Sequence, residues 1–455
     1  DFRLNLRPIL LLAIGLVLFT TVAVALLAHY FMGLPLAAGF VLGAIISPPD
    51  AIAATAVAQR LHIPKRIVTI LEGESLVNDA TALVAYKFAV VAVGTGSFSF
   101  AKAGAQFFIV AVGGILLGGV LGWLAEQFHR RVEDASIEIT VSLLTPFAAY
   151  LLAEHLGVSG VLAVVTAGLY LGWRTPEILS FRTRLRSGTV WEMVEFVLNG
   201  FVFILIGLQL PEVLKGLAKQ EFPVSNLVWY ALLISVAIIG IRIVWVFPAT
   251  YLPRLMFKKV CRHDPYPAWQ HVSIVAWTGM RGVVSLAAAL ALPLTTRAGA
   301  PFPGRNLILF LTFIVILVTL VAQGLSLPLL IRWLGVKDDG TMEKEEREAR
   351  LKANEAALAE LEKVNQADSA KQDALQRLRV EYEDHIGQIK GAKPEEAGTP
   401  LRRFSSEYER LSLVALKEER RTIIQLRNDD FISDEVLRRI QRDIDLAEAR
   451  LMAHQ

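Results

Sequence analysis

The 455-residue chain is 54% hydrophobic, has a mean hydropathy of +0.48 and carries a formal net charge of +3. Apolar runs of about 20 residues are long enough to cross hydrocarbon, so this composition excludes an ordinary soluble protein and predicts a polytopic membrane protein. The single Cys261 excludes an internal disulfide, and the absence of a G-x-x-x-x-G-K-[ST] phosphate-binding loop argues against ATP-driven transport.

Apolar runs bounded by charges and turn residues predict ten membrane spans, over 8–30, 34–59, 67–94, 103–125, 137–155, 158–173, 190–214, 226–252, 268–294 and 305–334. The N-terminal flank and the second, fourth, sixth and eighth loops hold 15 Lys and Arg, whereas the intervening loops hold 5. By the positive-inside rule this bias predicts that both ends of the chain lie in the cytoplasm. The expected location is the plasma (inner) membrane, which the chain crosses several times.

The second span contains AIISPPDAIAA, in which two prolines precede Asp50. Pro48 and Pro49 lack an amide hydrogen, so the helix is expected to break at 47–50. Broken backbone at membrane depth is tolerated where it lines a cavity, and its freed carbonyls can coordinate a cation. The alternative interpretation is a kinked helix with a snorkelling Asp50.

The third span contains GESLVNDA (73–80), whose polar residues fall on two helix faces. Ser75 and Asp79 are four residues apart on one face, and Glu74 and Asn78 are four apart on the adjoining face. Ser75 and Asp79 offer hard oxygen ligands, which suit a small monovalent cation or a proton.

Glu74 needs a partner, because an unpaired buried carboxylate tends to protonate. The predicted partner is Arg281 in the ninth span, where Gly279 and Gly282 weaken the helix. Spans one to three and spans eight to ten thus form two groups of three, and in each group the middle span is interrupted. The two groups run in opposite directions across the membrane. Such matching interruptions indicate a secondary-transporter site near the midplane.

Other polar residues within the spans carry weaker signals. Arg242 in the eighth span, and Glu195 with Asn199 in the seventh, are interpreted as structural bonds between helices in preference to pathway groups. Lys87 fits either a charge on the ion pathway or a snorkelling side chain, and the sequence leaves both open.

The composition changes at the end of the last span. Residues 1–334 are predicted to form the transmembrane domain, with a core of 1–94 and 226–334 and an interface part of 103–214, and 335–455 a cytoplasmic helical tail. Residues 336–455 contain 22 Lys plus Arg and 27 Asp plus Glu, with apolar residues at helical spacing and a breaker-rich linker at 391–400. A tail that assists assembly is favoured over a regulator that responds to pH or ligand.

SPPDAIAATAVAQRLHIPKRIVTILEGESLVNDATALVAY (47–86) and GMRGVVSLAAALALP (279–293) resemble the monovalent cation/proton antiporter family, in its Na+/H+ exchanger branch. The resemblance covers 1–334, and LKEERRTIIQLRNDDFIS (416–433) is similar to the tails of bacterial members. It implies an all-α polytopic membrane protein with the inverted-repeat antiporter fold, broken helices, a homodimer and an elevator motion. Compared with the family, the chain is expected to lack the first three or so helices.

The resemblance also implies an ion-binding set and a structural ion pair that holds Asn78. The ion-binding set is Asp79, Asp50, Ser75, Asn78 and Pro49, with Na+ at Asp79, Asp50 and Ser75, and the structural pair is Glu74 with Arg281. Many relatives carry a threonine where this chain has Pro49, so only the backbone carbonyl is available there.

The resulting prediction is a secondary transporter, not an enzyme, that exchanges Na+ or Li+ for H+ without a cofactor. Asn78 beside Asp79, in place of a second aspartate, favours electroneutral exchange by resemblance. K+/H+ exchange remains an alternative, and a cation channel or ion-sensing receptor is the alternative of another class. An intramembrane hydrolase with Ser75 as nucleophile is disfavoured, because no membrane-embedded His or Lys is placed to activate the serine. The expected partners are the ions, the lipid bilayer and a second copy of the chain, without nucleic acid.

Overall fold

The computed structural model describes residues 5–51, 55, 61, 63–95, 100–132, 134–219, 223–256, 266–296, 299–336, 340–363, 369–390 and 406–452. Regular structure in these residues is helical, and apart from one isolated bridge between Thr295 and Pro301 the described part forms no β-structure. The predicted all-α class is confirmed.

Fifteen helices are described. They are α1 (Leu6–Met32, with a π-helical turn at Leu11–Leu16), α2 (Leu36–Ile46), α3 (Lys65–Thr95), α4 (Phe100–His129), α5 (Ala135–His155), α6 (Gly160–Ile178), α7 (Phe181–Lys219), α8 (Val224–Met256), α9 (Trp269–Trp277), α10 (Val283–Leu290), α11 (Arg305–Leu334), α12 (Thr341–Glu362), α13 (Ser369–Lys390), α14 (Ser406–Asn428) and α15 (Asp434–Met452).

Seven helices within the described residues, α1, α3, α4, α5, α7, α8 and α11, are long and apolar enough to cross a membrane. The other three predicted spans contain shorter or interrupted helices, namely α2, α6 and the α9–α10 pair. Residues 52–54 and 56–59 of the predicted span 34–59 lie outside the described residues. The chain is therefore an integral, multi-pass membrane protein.

Close packing of α1 on α2 positions the first helix break. Gly33 ends α1 in the left-handed region, at φ +68°. The chain then turns so that Gly39 and Gly43 face the α1 backbone, where a Cβ on Gly43 would lie 2.4 Å from the carbonyl oxygen of Thr21. Past this contact α2 ends at Ile46, and Ser47–Asp50 are irregular, which confirms the predicted break.

The first of two compact units comprises Asp1–Val120, Phe147–Ala167 and Met193–Asp338. Its largest buried cluster is built mainly from α1, α2, α8 and α11, with Val24, Leu42, Ile234 and Leu311 all at 0% exposure. Because these helices are apolar on most faces, they bury side chains against each other and leave others exposed on the outside.

The second unit comprises Leu121–Pro146, Gly168–Glu192 and Asp339–Gln455. Its apolar centre is formed by tail residues, among them Ala353, Ile423, Val436 and Ile440. The buried Asp445 accepts hydrogen bonds from Arg184 of α7 and Arg420 of α14, and so joins the tail to a membrane helix. The predicted linker at 391–400 lies outside the described residues, and the predicted domain division at residue 334 stays a prediction.

Candidate functional site

Two interrupted segments meet inside the first unit, one after α2 and one between α9 and α10. The amide of Asp50 donates to the carbonyl of Met280 at 2.7 Å, which joins the two irregular segments directly. Met280 and Ser47 are buried. The predicted interruption at Gly279–Gly282 is confirmed, since α9 ends at Trp277 and α10 begins at Val283.

The Asp50 carboxylate lies against the backbone of Gly282. A Cβ on Gly282 would fall 1.7 Å from Asp50 Oδ2, so any larger residue would displace the carboxylate. Gly282 is the N-cap of α10, which places Asp50 at a helix N-terminus, where a negative charge is stabilised. The half-buried Asp50 is thus fixed at the crossing of the two segments.

Arg281 binds the carbonyl groups that the α2 break exposes. Its Nε donates to the carbonyl of Ile46 at 3.0 Å, and its other nitrogens donate to the carbonyls of Ser47 and Gly279. The backbone amide of Arg281 donates to Thr319 Oγ1 of α11 at 3.1 Å. A cation at the C-terminal end of a helix offsets the partial negative charge of its unpaired carbonyls.

Glu74 pairs with Arg242 of α8, and the predicted partner Arg281 is wrong. Arg242 Nη1 and Nη2 donate to the two Glu74 carboxylate oxygens at 2.5 and 2.8 Å, and the side chains are 1% and 2% exposed. Arg242 also donates to the carbonyl of Val275 at 3.0 and 3.2 Å. A two-bond fork of this kind fixes α3 against α8 and α9.

Room for both arginines depends on one glycine. A Cβ on Gly279 would fall 2.5 Å from Arg242 Cδ and 3.0 Å from Arg281 Nη1. The helix interruption between α9 and α10 therefore lets two guanidinium groups approach the same backbone position. The two side chains have different acceptors: Arg242 donates to the carboxylate of Glu74, and Arg281 donates to backbone carbonyls.

Asn78 connects α3 to the first interrupted segment. Its Nδ2 donates to the carbonyl of Pro49 at 2.8 Å, and the side chain is fully buried. The carbonyl expected to serve an ion is thus occupied by an amide donor, with one lone pair remaining. Asn78 Oδ1 has no hydrogen-bond partner among the described residues.

Ser75 and Asp79 lie on the other face of α3, as their spacing predicts, and both are half-buried. Asp79 is close enough to Asp50 for the two charges to interact. The structure therefore brings the predicted ion-binding residues to one place, where α3 passes the interrupted segments. The role of each residue in binding an ion stays a prediction.

The remaining polar candidates lie away from this crossing. Lys87 forms an ion pair with Glu154 of α5. Glu195 is exposed and Asn199 half-buried on α7, and neither side chain has a hydrogen bond within the described part of the chain. Their interpretation as structural bonds between helices stays a prediction, whereas Arg242 does link helices.

Sequence reasoning missed the role of Arg242 in the Glu74 pair and that of Thr319 as an acceptor for the Arg281 amide. Arg242 carried a usable signal, because a lone arginine inside the apolar run IIGIRIVWV needs a carboxylate partner. The sequence favoured Arg281 as the partner of Glu74, and only the arrangement of α3 and α8 in space shows that Arg242 reaches the carboxylate.

Comparisons with known proteins show which proteins this chain is similar to. A family model described as sodium/hydrogen exchanger, transmembrane, matches residues 1–333. The chain is 37% identical over 453 residues to an uncharacterised Na+/H+ exchanger of Mycobacterium tuberculosis, over 99% of this chain and 83% of the relative. It is 39% identical over 337 residues to the sodium, potassium, lithium and rubidium/H+ antiporter of Bacillus subtilis, over 72% of this chain and 50% of that protein. The sodium proton antiporter MjNhaP1 from Methanocaldococcus jannaschii has the same fold, with a TM-score of 0.55 at 21% identity over 73% of this chain and 80% of that one.

Proposed function

The chain belongs to the sodium/hydrogen exchanger family, and from this membership we propose that it exchanges Na+ or Li+ for H+ at Asp79, one for one. The coarser prediction of a polytopic membrane antiporter is confirmed by the family match and the shared fold. Asp79 is the proposed binding carboxylate, with Ser75 and Asp50 as further oxygen ligands. No enzymatic chemistry is needed for this exchange.

The charge balance at the crossing carries the proposal. Five ionisable side chains meet there: Glu74, Arg242, Arg281, Asp50 and Asp79. With all of them ionised the set carries one net negative charge, since Glu74 and Arg242 neutralise each other and Arg281 offsets one aspartate. One monovalent cation or one proton on Asp79 brings the sum to zero, whereas both together would leave a positive charge in a poorly hydrated place.

Mutual exclusion at one carboxylate couples the two ion flows. If only the neutral site crosses, each passage carries either a cation or a proton, and net exchange moves no charge. Charged groups inside a membrane are costly, which disfavours passage of the empty, ionised site. The proposed stoichiometry is therefore electroneutral.

Potassium is the main alternative to sodium. The name of the Bacillus subtilis relative includes potassium and rubidium, and hard oxygen ligands alone accept ions of several sizes. Sodium remains the proposed ion, because the Mycobacterium tuberculosis relative and the family model both name sodium.

For the motion we propose that α1–α3 with α8–α11 move as a core against a scaffold of α4–α7. In support, the two main buried clusters of the first unit are formed mainly by the core helices and the segments between them. Large apolar side chains of α7, such as Phe196 at 78% and Leu208 at 72% exposure, face outward and suit lipid or a second copy of the chain. We accordingly propose a homodimer in the inner membrane, with both chain ends in the cytoplasm.

The test is an exchange assay on the purified protein in proteoliposomes. A preset pH gradient is followed by a quenched dye, and Na+, Li+ and K+ are added in turn. The proposal expects dequenching with Na+ and Li+, and its loss in Asp79→Asn. The matched control is Glu195→Gln, which removes an exposed carboxylate from α7 and should exchange normally. Full activity of Asp79→Asn would refute the proposed site.

A further inference from the structure

Core and scaffold helices touch at the end of α3 beyond the ion site. Lys87 of α3 forms an ion pair with Glu154 of α5, and the two side chains are 39% and 37% exposed. Lys87 lies eight residues beyond Asp79 on the same helix, which corresponds to about 12 Å along its axis. Glu154 Oε1 also accepts from the amide of Gly160 at 3.4 Å, at the start of α6. The pair thus connects the helix of the ion site to the corner between α5 and α6.

A second contact joins scaffold to core through a glycine. Gly216 of α7 lies so close to α11 that an added Cβ would fall 2.3 Å from Asn306 Nδ2. Beside it, Leu217 is fully buried and Val213 is 7% exposed, within a cluster that includes Leu307. Asn306 and Leu307 lie in the first turn of α11, which begins at Arg305.

The stretch of α7 around Gly207 makes fewer close contacts. Gly207, six residues before Val213, has nothing within 4 Å of an added Cβ, and Leu208 is 72% exposed. The scaffold therefore packs closely against the core near the last turns of α7, at Gly216. The ion pair between Lys87 and Glu154 adds a polar contact between α3 and α5.

We propose that Lys87–Glu154 and Gly216–Asn306 form a gate that closes the ion site from the side of the membrane where α11 begins. The inference rests on the proposed exchange function and on movement of the core against the scaffold. In the described conformation both contacts are made, which is the closed state of the gate. Each exchange cycle must break both contacts and remake them.

The chemistry of the two contacts suits repeated opening. A half-exposed ion pair exchanges its partner for water at little cost, unlike the buried Glu74–Arg242 pair. The Gly216 contact has no covalent or charged link, so the surfaces can separate, and the missing Cβ allows close approach when they return.

Reversible cross-linking of the pair tests the gate. The variant carries Lys87→Cys and Glu154→Cys together with Cys261→Ser, which removes the chain's one native cysteine. A bifunctional methanethiosulfonate reagent about as long as the ion pair joins the two positions in proteoliposomes. We expect loss of Na+-driven dequenching after cross-linking and its return after reduction.

The control is a cysteine pair that cross-links two helices within the scaffold and leaves the core free. Trp191 of α7 donates to Ser142 of α5 at 3.2 Å, so Ser142→Cys with Trp191→Cys should cross-link without stopping exchange. If the Lys87–Glu154 positions are cross-linked and exchange continues, the gate is refuted while the exchange function stands. If the wild-type protein does not exchange, the proposed function itself fails.

A second set of variants decides the question even if the cysteine pair is inactive before cross-linking. Gly216→Val should slow exchange by obstructing closure, and Asn306→Ala in the same chain should restore much of the rate. Gly207→Val adds the same side chain where the space is open and should exchange like the wild type. Normal exchange by Gly216→Val, or no relief from Asn306→Ala, would overturn the gate.

Discussion

The buried pair of Glu74 and Arg242 gives the sharpest energetic prediction. Both side chains are almost completely buried, and two hydrogen bonds of 2.5 and 2.8 Å join them. Removing one partner of such a pair strands the other charge, which typically costs ~3–5 kcal/mol of unfolding free energy. We therefore expect Glu74→Gln and Arg242→Met each to destabilise the protein by that amount. The double variant should cost up to about 3 kcal/mol less than the sum of the two single variants.

The assay is a double-mutant cycle on the free energy of unfolding in detergent micelles, measured by denaturant titration. Residues in contact show coupling energies of about 0.5–3 kcal/mol, and a desolvated two-bond pair belongs at the upper end. A parallel cycle with Glu74→Gln and Arg281→Met provides the control, since Arg281 donates to backbone carbonyls instead. Additive effects in the Arg242 cycle, together with strong coupling in the Arg281 cycle, would refute this geometry and restore the partner that spacing predicted.

Three further predictions concern the crossing and the tail. Gly282→Ala should lower both apparent Na+ affinity and exchange rate, because the added Cβ displaces the Asp50 carboxylate; Gly240→Ala, with open space around its position, should leave both unchanged in the dequenching assay. Asp445→Asn should speed tryptic cleavage of the tail, because it leaves the buried Arg184 without its charge partner, which typically costs about 3–5 kcal/mol. Equal cleavage rates would contradict that contact. Burial raises the pKa of Glu419 to about 7 from an ordinary 4.5, so the protonated carboxyl favours the folded tail and its contribution declines as pH rises from about 4.5 to beyond 7. Hydrogen exchange of α14, corrected for its intrinsic pH dependence, should show that the stability of the tail falls as the pH rises in the wild type and does not fall in Glu419→Gln. The same pH dependence in that variant as in the wild type would contradict the effect.

The helix breaks were accessible from the sequence because their causes are local. Two consecutive prolines at 48–49 remove backbone donors wherever the helix lies, and glycines at 279 and 282 weaken α9–α10 without reference to any neighbour. The two faces of α3 were equally accessible, since spacing of four residues fixes which side chains align. The structure adds that these local features meet, through the hydrogen bond from Asp50 to Met280.

The sequence could not identify the arginine that pairs with Glu74 in the same way. Whether Glu74 binds Arg242 or Arg281 depends on how α8 packs beside α3, and no spacing within one helix encodes that distance. The close approach of Gly282 to Asp50, and of Gly216 to Asn306, is likewise a property of two elements far apart in the chain. A lone glycine in an apolar run permits close packing but does not identify the neighbour.

The most direct test of exchange at a single carboxylate is the number of protons released when Na+ binds. Purified protein in weakly buffered detergent is titrated with Na+ near neutral pH while an indicator dye reports proton release. Competition at Asp79 predicts release that approaches one proton per Na+ bound as the pH is lowered, and no release from Asp79→Asn. Binding of Na+ without proton release at any pH, or the same release from Asp79→Asn, would contradict a shared site for the two ions.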